Sequence, residues 1–258
     1  MNQQFSFPRF RRLFSRHTAE FLPGYLLGAV VLAGALLLVL SFAAYSLSGE
    51  FQLTEQGAFF LLFLLAAGSI FTSTVFAQFS DRGRAPAALT LPASQLEKYL
   101  VAWLYSLPIF LLVFVSVFYL VDAAVLYGSD WQGRPPRLLN VFAAHGETYG
   151  AFWFYLVLNA AGLWGAIFFE KMHFVKTAFT IFLVIAAVLV VNGRVLKALL
   201  SHSLRAGLPF AGVTLEEENE HYRLVLPDAQ MGWLVPLALV LAALLWRAAY
   251  VRLTEKQL

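Results

Sequence analysis

The sequence predicts an all-α integral membrane protein with six transmembrane helices and both termini in the cytoplasm. It also predicts an N-terminal interfacial amphipathic helix and a short cytoplasmic helix between spans 2 and 3. Of the 258 residues, 60% are hydrophobic and only 13% are charged, whereas a soluble domain carries about 25% charged residues. The hydrophobic residues are gathered into six long apolar runs, and the Lys and Arg residues between the runs are distributed unevenly.

Residues 1–20 form the first unit and have the pattern of an amphipathic helix. Arg9, Arg12, Arg16 and Glu20 are spaced three, four and four residues apart, which places them on one helical face. Phenylalanine side chains fall mainly on another face. A helix of this kind lies in the headgroup region with its arginines towards anionic lipid. The alternative is a solvated basic leader, and the regular phenylalanines favour the interfacial helix.

Residues 21–258 are predicted to form one membrane domain. A helix needs roughly 20 apolar residues to cross about 30 Å of hydrocarbon. The first four runs carry no charged residue, and the last two each carry one near an end, Lys176 and Arg247, where a long side chain reaches the interface. The runs do not alternate in polarity as barrel strands do, so they are predicted to be helices. The six spans are expected at residues 21–47, 57–79, 99–121, 149–169, 174–191 and 231–249.

The positions of Lys and Arg predict the orientation. Twelve of the 18 lie in or beside the N-terminal segment, the 2–3 loop, the 4–5 loop and the C-terminal segment, and six lie on the other side. Cytoplasmic loops of membrane proteins carry an excess of these residues. Both termini and the 2–3 loop are therefore predicted to be cytoplasmic.

The segment 80–98 is a polar break between spans 2 and 3. Pro86 and Pro92 bias the residues before them away from helix, and residues 87–91 between them suit one short helical turn. Ser94 and Glu97 have the spacing of a capping box, which predicts a helix that starts near Ser94 and continues into span 3. The segment is either an ordinary connecting loop or a surface that another protein contacts.

Two larger loops are predicted on the outer side, at residues 122–148 and 192–230. The first is rich in Gly and Pro and is expected to be irregular. In the second, residues 196–204 have the pattern of a short amphipathic helix, and residues 223–226 suit a small extended segment. The Glu-rich residues 216–221 between them are interpreted as a solvated acidic loop rather than a metal site, because consecutive glutamates would point in different directions on a helix.

The middles of the six spans contain no charged residue. This disfavours a transporter coupled to protons or sodium ions, because ion paths and proton relays use ionisable groups inside the membrane. The uncharged polar residues of spans 2 and 4 have two interpretations: they line a translocation path, or they form hydrogen bonds between helices, which we favour. They are Ser69, Thr72, Ser73, Gln78 and Asn159.

Sequence motifs for catalysis or cofactor binding are absent. The chain has no cysteine, no G-x-x-x-x-G-K-[ST] phosphate loop, and no Gly-x-Ser-x-Gly or His-Glu-x-x-His pattern. We expect no catalytic residue, metal site or cofactor in this chain and no nucleic-acid partner, because the basic residues form no stripe of their own. Glu170 with His173 is the one local pair suited to an enzyme acting on lipid, and the lysines beside it favour cytoplasmic anchoring instead.

Two local stretches, together with the topology, carry a family resemblance. Residues 91–100 (LPASQLEKYL) and the turn from span 4 to span 5 (GAIFFEK at 165–171, then FVKT at 174–177) resemble the permease subunits of bacterial ABC-2 type ABC transporters. The resemblance implies an exporter subunit in the inner membrane, which pairs with an identical or related second permease. It also implies separate cytoplasmic ATPase subunits that bind ATP and Mg.

In this family the N-terminal helix and the 2–3 loop form the surface on which the ATPases dock. Carried onto this sequence, the resemblance implies docking by Asp81, Arg82, Arg84, Leu91, Ser94, Glu97, Lys98, Arg12 and Arg16. The sequence departs from the family before span 6, where residues 196–204 supply one re-entrant helix and the Glu-rich stretch after it is too polar to enter lipid. The alternative function is a non-transporting membrane scaffold or assembly protein that interacts through this acidic loop.

Overall fold

The computed structural model describes residues 5–46, 53–80, 94–128, 137–142, 149–169, 173–200, 203–207, 213–217, 220–224 and 232–255. Of the predicted docking residues, Asp81, Arg82, Arg84 and Leu91 lie outside these ranges, and so does the short turn expected at 87–91. The backbone of Gln78 is helical, and its side chain lies outside the described part of the chain.

The described residues contain six long helical segments, one for each predicted span. Three short strands follow the helix of span 5. The helices are α1 (Phe7–Ser46), α2 (Leu53–Ser80), α3 (Gln95–Leu104), α4 (Phe110–Gly128), α5 (Tyr149–Phe168), α6 (His173–Leu200) and α7 (Leu234–Glu255). A π-helical segment, Tyr105–Ile109, joins α3 to α4, so that these three pieces make up span 3. The strands are β1 (Ser203–Gly207), β2 (Val213–Glu217) and β3 (Glu220–Leu224).

The prediction of six helices that are long and apolar enough to cross a membrane is confirmed. Their mean hydropathy is highest in α1 and span 3, at 2.6 over the most apolar 18 residues, and lowest in α5, at 1.6. α5 is also the most buried of the six. It packs against α2, α6 and α7, and a helix surrounded by other helices needs less apolar surface than one surrounded by lipid.

The N-terminal unit differs from the expectation of a separate interfacial helix. α1 runs without a break from Phe7 to Ser46, so residue 20 does not mark an element boundary, and Pro23 lies within the helix. A proline inside a helix removes one hydrogen bond. One lost bond among those of 40 residues is not enough to end the helix.

Two other boundaries were predicted wrongly. α4 continues to Gly128, so the first seven residues of the predicted loop 122–148 are helical. α6 continues to Leu200, and β1 begins at Ser203, so residues 196–204 do not form a separate amphipathic helix. In the first place the apolar period of the helix continues past Asp122, and in the second the helix continues through Asn192, Gly193 and Arg194.

A three-stranded antiparallel sheet, in the order β1-β2-β3, occupies part of the predicted loop 192–230. Ser203 pairs with Glu216 across β1 and β2, and Glu216 pairs with His221 across β2 and β3. The described residues of the Glu-rich stretch therefore lie in paired strands, and Glu217 pairs with Glu220. The extended segment predicted at 223–226 is confirmed for Arg223 and Leu224, and its last two residues lie outside the described ranges. The sheet adds strands to a chain that was predicted to be all-α.

Two apolar clusters hold the helices together, one towards each end of the bundle. The first is built from α1, α2, α4, α5 and the segment 137–142, and its centre is Phe60, whose ring lies 5.3 Å from that of Phe114 and 5.0 Å from that of Phe118. The second joins α3, α5 and α7, and its fully buried members are Ala102, Leu163, Ala249 and Leu253. We call these two ends the Gln56 end and the Glu97 end, after a buried polar residue at each.

Two glycines allow helices to approach closely. A Cβ atom on Gly68 of α2 would overlap the ring of Tyr155 on α5. A Cβ atom on Gly165 of α5 would overlap the side chain of Thr177 on α6. Small residues at such crossings let helices pack inside a membrane, where lipid chains compete with apolar side chains.

Candidate functional site at the junction of the N-terminal helix and span 3

Glu97 lies at the centre of the junction, and its side chain is fully buried. One carboxylate oxygen accepts a hydrogen bond from the backbone nitrogen of Ser6 at 2.7 Å and one from Nη2 of Arg9 at 3.2 Å. The other oxygen accepts from the backbone nitrogen of Ser94 at 3.0 Å. A buried carboxylate is stable only when it is paired and hydrogen-bonded, and Glu97 has three donors, two of them from the N-terminal segment.

The local sequence explains why Glu97 takes this position. Ser94 has extended backbone angles (φ −67°, ψ 156°) and caps α3, and its side chain accepts a hydrogen bond from the backbone nitrogen of Glu97 at 3.2 Å. The Glu97 side chain returns to the backbone nitrogen of Ser94, which completes the capping box. The helix start predicted from Ser94 and Glu97 is thereby confirmed.

Aromatic side chains extend the junction along α1. The ring of Tyr105, at the start of the π-helical segment, lies 5.2 Å from that of Phe14 and 4.6 Å from that of His17. The Tyr105 hydroxyl also hydrogen-bonds Thr18, and His17 lies 2.9 Å from the hydroxyl of Tyr25. The aromatic face of the N-terminal segment therefore packs on span 3, and this face was expected to rest in the lipid interface.

Apart from Arg9, which pairs with Glu97, the arginines of the same segment lie on the opposite side. Arg11, Arg12 and Arg16 are exposed and line a groove of about 710 Å³ together with Phe7, Pro8, Ser15 and Ala19. Arg16 makes a 3.9 Å contact with Glu20, and both side chains are more than half exposed, so this pair contributes little to stability. Arg11 was not among the arginines predicted to share one helical face, because it falls between Arg9 and Arg12.

The predicted docking residues thus divide into two groups. Ser94, Glu97 and Lys98 are buried, at 7%, 0% and 4% exposure, and cannot form a surface for a partner in this conformation. Arg12 and Arg16 are exposed. The buried residues hold the junction together, and the exposed ones are accessible to a partner.

Span 3 changes its helical geometry immediately after the junction. Pro108 lies inside the π-helical segment, and proline lacks the N–H that an α-helix needs at that position. Short π-helical turns of this kind occur frequently at functional sites. The carbonyl oxygen of Ser106 accepts hydrogen bonds from the Tyr155 hydroxyl at 2.9 Å and from Nδ2 of Asn159 at 3.1 Å.

Asn159 links three helices. Its Nδ2 also donates to Oγ1 of Thr72 at 2.9 Å, so that α2, span 3 and α5 meet at one buried amide. The hydroxyl of Ser69 donates to the Leu65 carbonyl, and that of Ser73 donates to the Ser69 carbonyl. The favoured interpretation of Thr72 and Asn159 as partners in hydrogen bonds between helices agrees with this geometry. The serines bond within their own helix, and path lining by these residues stays a prediction.

The Gln56 end contains a second polar arrangement that sequence analysis missed. Gln56, 1% exposed, donates to the Arg137 carbonyl and accepts from the backbone nitrogen of Leu139, each at 3.0 Å. The hydroxyl of Tyr119 donates to the Leu139 carbonyl at 2.9 Å and accepts from the backbone nitrogen of Val141 at 3.2 Å. Two side chains thus fix the segment 137–142 against α2 and α4.

Asp122 lies on α4 one turn beyond Phe118 and is fully buried. Asp122 was predicted to be the first residue of the loop 122–148. The signal that reveals its place is the continuing helical period of apolar residues, Phe118, Val125 and Leu126, on the same face. Within the described residues no three His, Cys, Asp or Glu side chains are grouped as a metal site.

Comparison with known proteins finds no relative: no family model, no curated protein and no solved structure matches the chain.

Proposed function

We propose that this chain is the membrane-spanning permease subunit of an ATP-driven ABC exporter. It would work in a bacterial inner membrane, with both termini in the cytoplasm, beside a second permease and separate ATPase subunits that bind ATP and Mg. The observation that supports this proposal most is the junction at Glu97, which fastens the start of α1 to the start of span 3.

A permease needs a rigid connection between its docking surface and its spans. The hydrogen bonds of Glu97 form one end of this connection, because breaking them would leave a buried carboxylate without its donors. The aromatic contacts of Tyr105 with Phe14 and His17 supply the next contact along the helices. A displacement of the N-terminal segment is therefore transmitted to span 3 as a rigid-body movement.

The π-helical segment provides the place where such a movement acts on the bundle. Its Ser106 carbonyl is held by Tyr155 and Asn159 of α5, and Asn159 also holds Thr72 of α2. A tilt of α3 consequently changes the packing of three helices at the level of Pro108. Two packed arrangements of this region would correspond to two states of the exporter.

The exposed arginines are the proposed docking surface. Arg11, Arg12 and Arg16 line the groove on α1, and a surface of this charge suits an acidic patch on an ATPase. Asp81, Arg82, Arg84 and Leu91 are proposed to complete the surface from the 2–3 loop. Ser94, Glu97 and Lys98 act in this proposal by positioning the two elements and not by direct contact.

The experiment is a gentle-detergent purification of the tagged chain from its host, followed by identification of the copurifying proteins and an ATPase assay. We expect a stoichiometric ATPase that is lost when Arg11, Arg12 and Arg16 are all replaced by Gln. Replacing Arg252, which is exposed and pairs with Glu255, is the matched control and should leave the ATPase bound. Glu97→Ala should retain the ATPase but separate its turnover from transport.

The scaffold alternative predicts a different result. The three-stranded sheet, in which Glu216 pairs with His221 and Glu217 with Glu220, would offer a partner a surface on the side opposite the ATPases. A chain that copurifies with partners only through residues 203–224, and without any ATPase, would overturn the exporter proposal in favour of the scaffold.

A further inference from the structure

Asp122 is an ionisable side chain inside the apolar core of the Gln56 end. Its exposure is 0%, and neither carboxylate oxygen has a hydrogen-bond partner in the described part of the chain. Phe118, Val125 and Leu126, its neighbours on the same face of α4, are buried in the first apolar cluster. The proposed function does not use this residue.

Among the residues that the structure describes, no cationic side chain forms an ion pair with Asp122. The elements packed against α4 are α1, α2 and the π-helical segment, with the segment 137–142 joined to α4 through Tyr119. Near this end their ionisable residues are Glu55 on α2, Arg137 on the 137–142 segment and Tyr45 on α1, and α4 itself adds Tyr119 and Tyr127. Arg137 is exposed and makes no ion pair with Asp122 among the described residues, and Glu55 has the same charge sign as Asp122.

A carboxylate in such a place is far less stable than the neutral acid. Transfer of an isolated ion from water into an apolar interior is so unfavourable that ionisable groups neutralise instead. Tyr119, one turn away on the same helix, already donates to Leu139 and accepts from Val141. The packing of α4 is therefore compatible with a protonated Asp122 and not with a bare ionised one.

A proton suits this position better than a metal cation. Calcium takes six to eight oxygen ligands, whereas a proton needs a single oxygen atom. The described residues contain no group of three acidic or histidine side chains that would share a metal ion. Ionisable residues inside membrane bundles mark ion or proton sites by default.

We propose that Asp122 is a proton-binding site, which is occupied in this conformation and whose deprotonation loosens the first apolar cluster around it. An ionised Asp122 requires water, and water reaches a fully buried side chain only if the helices around it separate. Proton binding then favours the closed packing, because the two packings differ in their affinity for the proton. The inference stands independently of the exporter proposal.

The first test is infrared spectroscopy of the full-length protein in lipid, recorded as the difference between a mildly acidic and an alkaline sample. A protonated carboxylic acid has a carbonyl stretch that a carboxylate lacks, and we expect this band to be lost in Asp122→Asn. Glu55→Gln is the matched acidic control and should keep the band. A wild-type spectrum without the band would overturn the proposal. So would stabilisation by sodium or calcium that disappears in Asp122→Asn, because it would indicate a metal site.

The second test measures the opening. The natural chain has no cysteine, so Ala43→Cys on α1, at a buried position of the same cluster, introduces the only thiol. Its labelling rate is compared in the Asp122 and Asp122→Asn backgrounds, since the ratio of the two rates cancels the pH dependence of the thiol itself. We expect the ratio to rise with pH, while Leu253→Cys at the Glu97 end shows a constant ratio. A constant ratio at residue 43 would overturn the proposed opening.

Discussion

The backbone nitrogen of Ser6 donates a 2.7 Å hydrogen bond to the carboxylate of Glu97, although 91 residues separate the two in the chain. The same carboxylate caps α3 through Ser94 and pairs with Arg9. The Glu97 side chain therefore caps the start of α3 and also holds the N-terminal end of α1 against it. The position of the N-terminal segment depends on this residue more than on its own exposed arginines.

Glu97→Ala should lower the free energy of unfolding by about 1–3 kcal/mol, because Ser6, Ser94 and Arg9 would lose a shared acceptor. Glu97→Gln should cost less, since its carbonyl oxygen still accepts from one backbone nitrogen. The measurement is denaturant unfolding in detergent. Glu255→Gln, at an exposed acid paired with Arg252, is the control and should change stability by less than about 1 kcal/mol. An equal effect of Glu255→Gln and Glu97→Ala would contradict the role of the junction.

Thr72→Val and Asn159→Leu should show coupling in a double-mutant cycle. Their hydrogen bond joins α2 to α5 at 2.9 Å, and such bonds inside membranes contribute about 0.6 kcal/mol on average and up to about 1.7 kcal/mol. The cycle is measured by unfolding in detergent. Ser73→Ala paired with Asn159→Leu is the control, because the Ser73 hydroxyl bonds within its own helix. Additive effects in the Thr72 cycle would show that the bond contributes nothing.

Gly68→Ala should destabilise the protein by about 1–3 kcal/mol, the range for overpacking a well-packed interior. The added methyl group would overlap the buried ring of Tyr155, which is hydrogen-bonded to Ser106 and cannot move freely. Gly28→Ala on α1 is the matched control, because no atom lies within 4 Å of the added carbon. Alanine also favours helix over glycine by up to about 1 kcal/mol. The measurement is the melting temperature of each variant in detergent. Equal melting temperatures for Gly68→Ala and Gly28→Ala would rule out a close α2–α5 contact.

Gln56→Ala should increase the hydrogen exchange of the Leu139 amide, whose buried N–H would lose its acceptor. The cost of an unsatisfied buried donor is about 1–3 kcal/mol, which corresponds to a rise of about 5- to 150-fold in the local opening constant. Exchange followed by mass spectrometry on peptides from 137–142 measures it. Asn140→Ala is the control, since Asn140 is exposed and accepts a hydrogen bond from the backbone nitrogen of Phe142. Unchanged protection of Leu139 in Gln56→Ala would contradict the anchoring of this segment.

Local sequence patterns predicted the parts of the fold that depend on neighbouring residues. The Ser94–Glu97 capping box arises within one helical turn, and the six apolar runs were sufficient to predict six helices long and apolar enough to cross a membrane. The partners of Glu97 and Asn159 could not be predicted in this way. Each contact joins residues 53 or more positions apart, and a single sequence contains no signal for such a pair.

Asp122 shows a different reason for a missed residue. A charged side chain was taken as the end of span 3, because charged residues are unfavourable inside a membrane bundle. The apolar period on the same helical face continues through Val125 and Leu126, and the helix follows that period. Proton-coupled transport was disfavoured because the predicted span 3 ended before Asp122. Since the helix includes Asp122, proton coupling is open again, and the infrared measurement tests whether Asp122 holds a proton.

α1 has 40 residues, which at 1.5 Å per residue gives a length of about 60 Å, twice the hydrocarbon thickness of about 30 Å. About half of it must therefore project beyond the hydrocarbon, and it acts as a lever arm. A tilt of about 10° about its far end would sweep the tip through about 10 Å at that length. Because Ser6 and Arg9 hold Glu97 near this tip, any change in bilayer thickness that tilts α1 also pulls on the start of span 3, and the activity of the protein should depend on the thickness of the membrane around it.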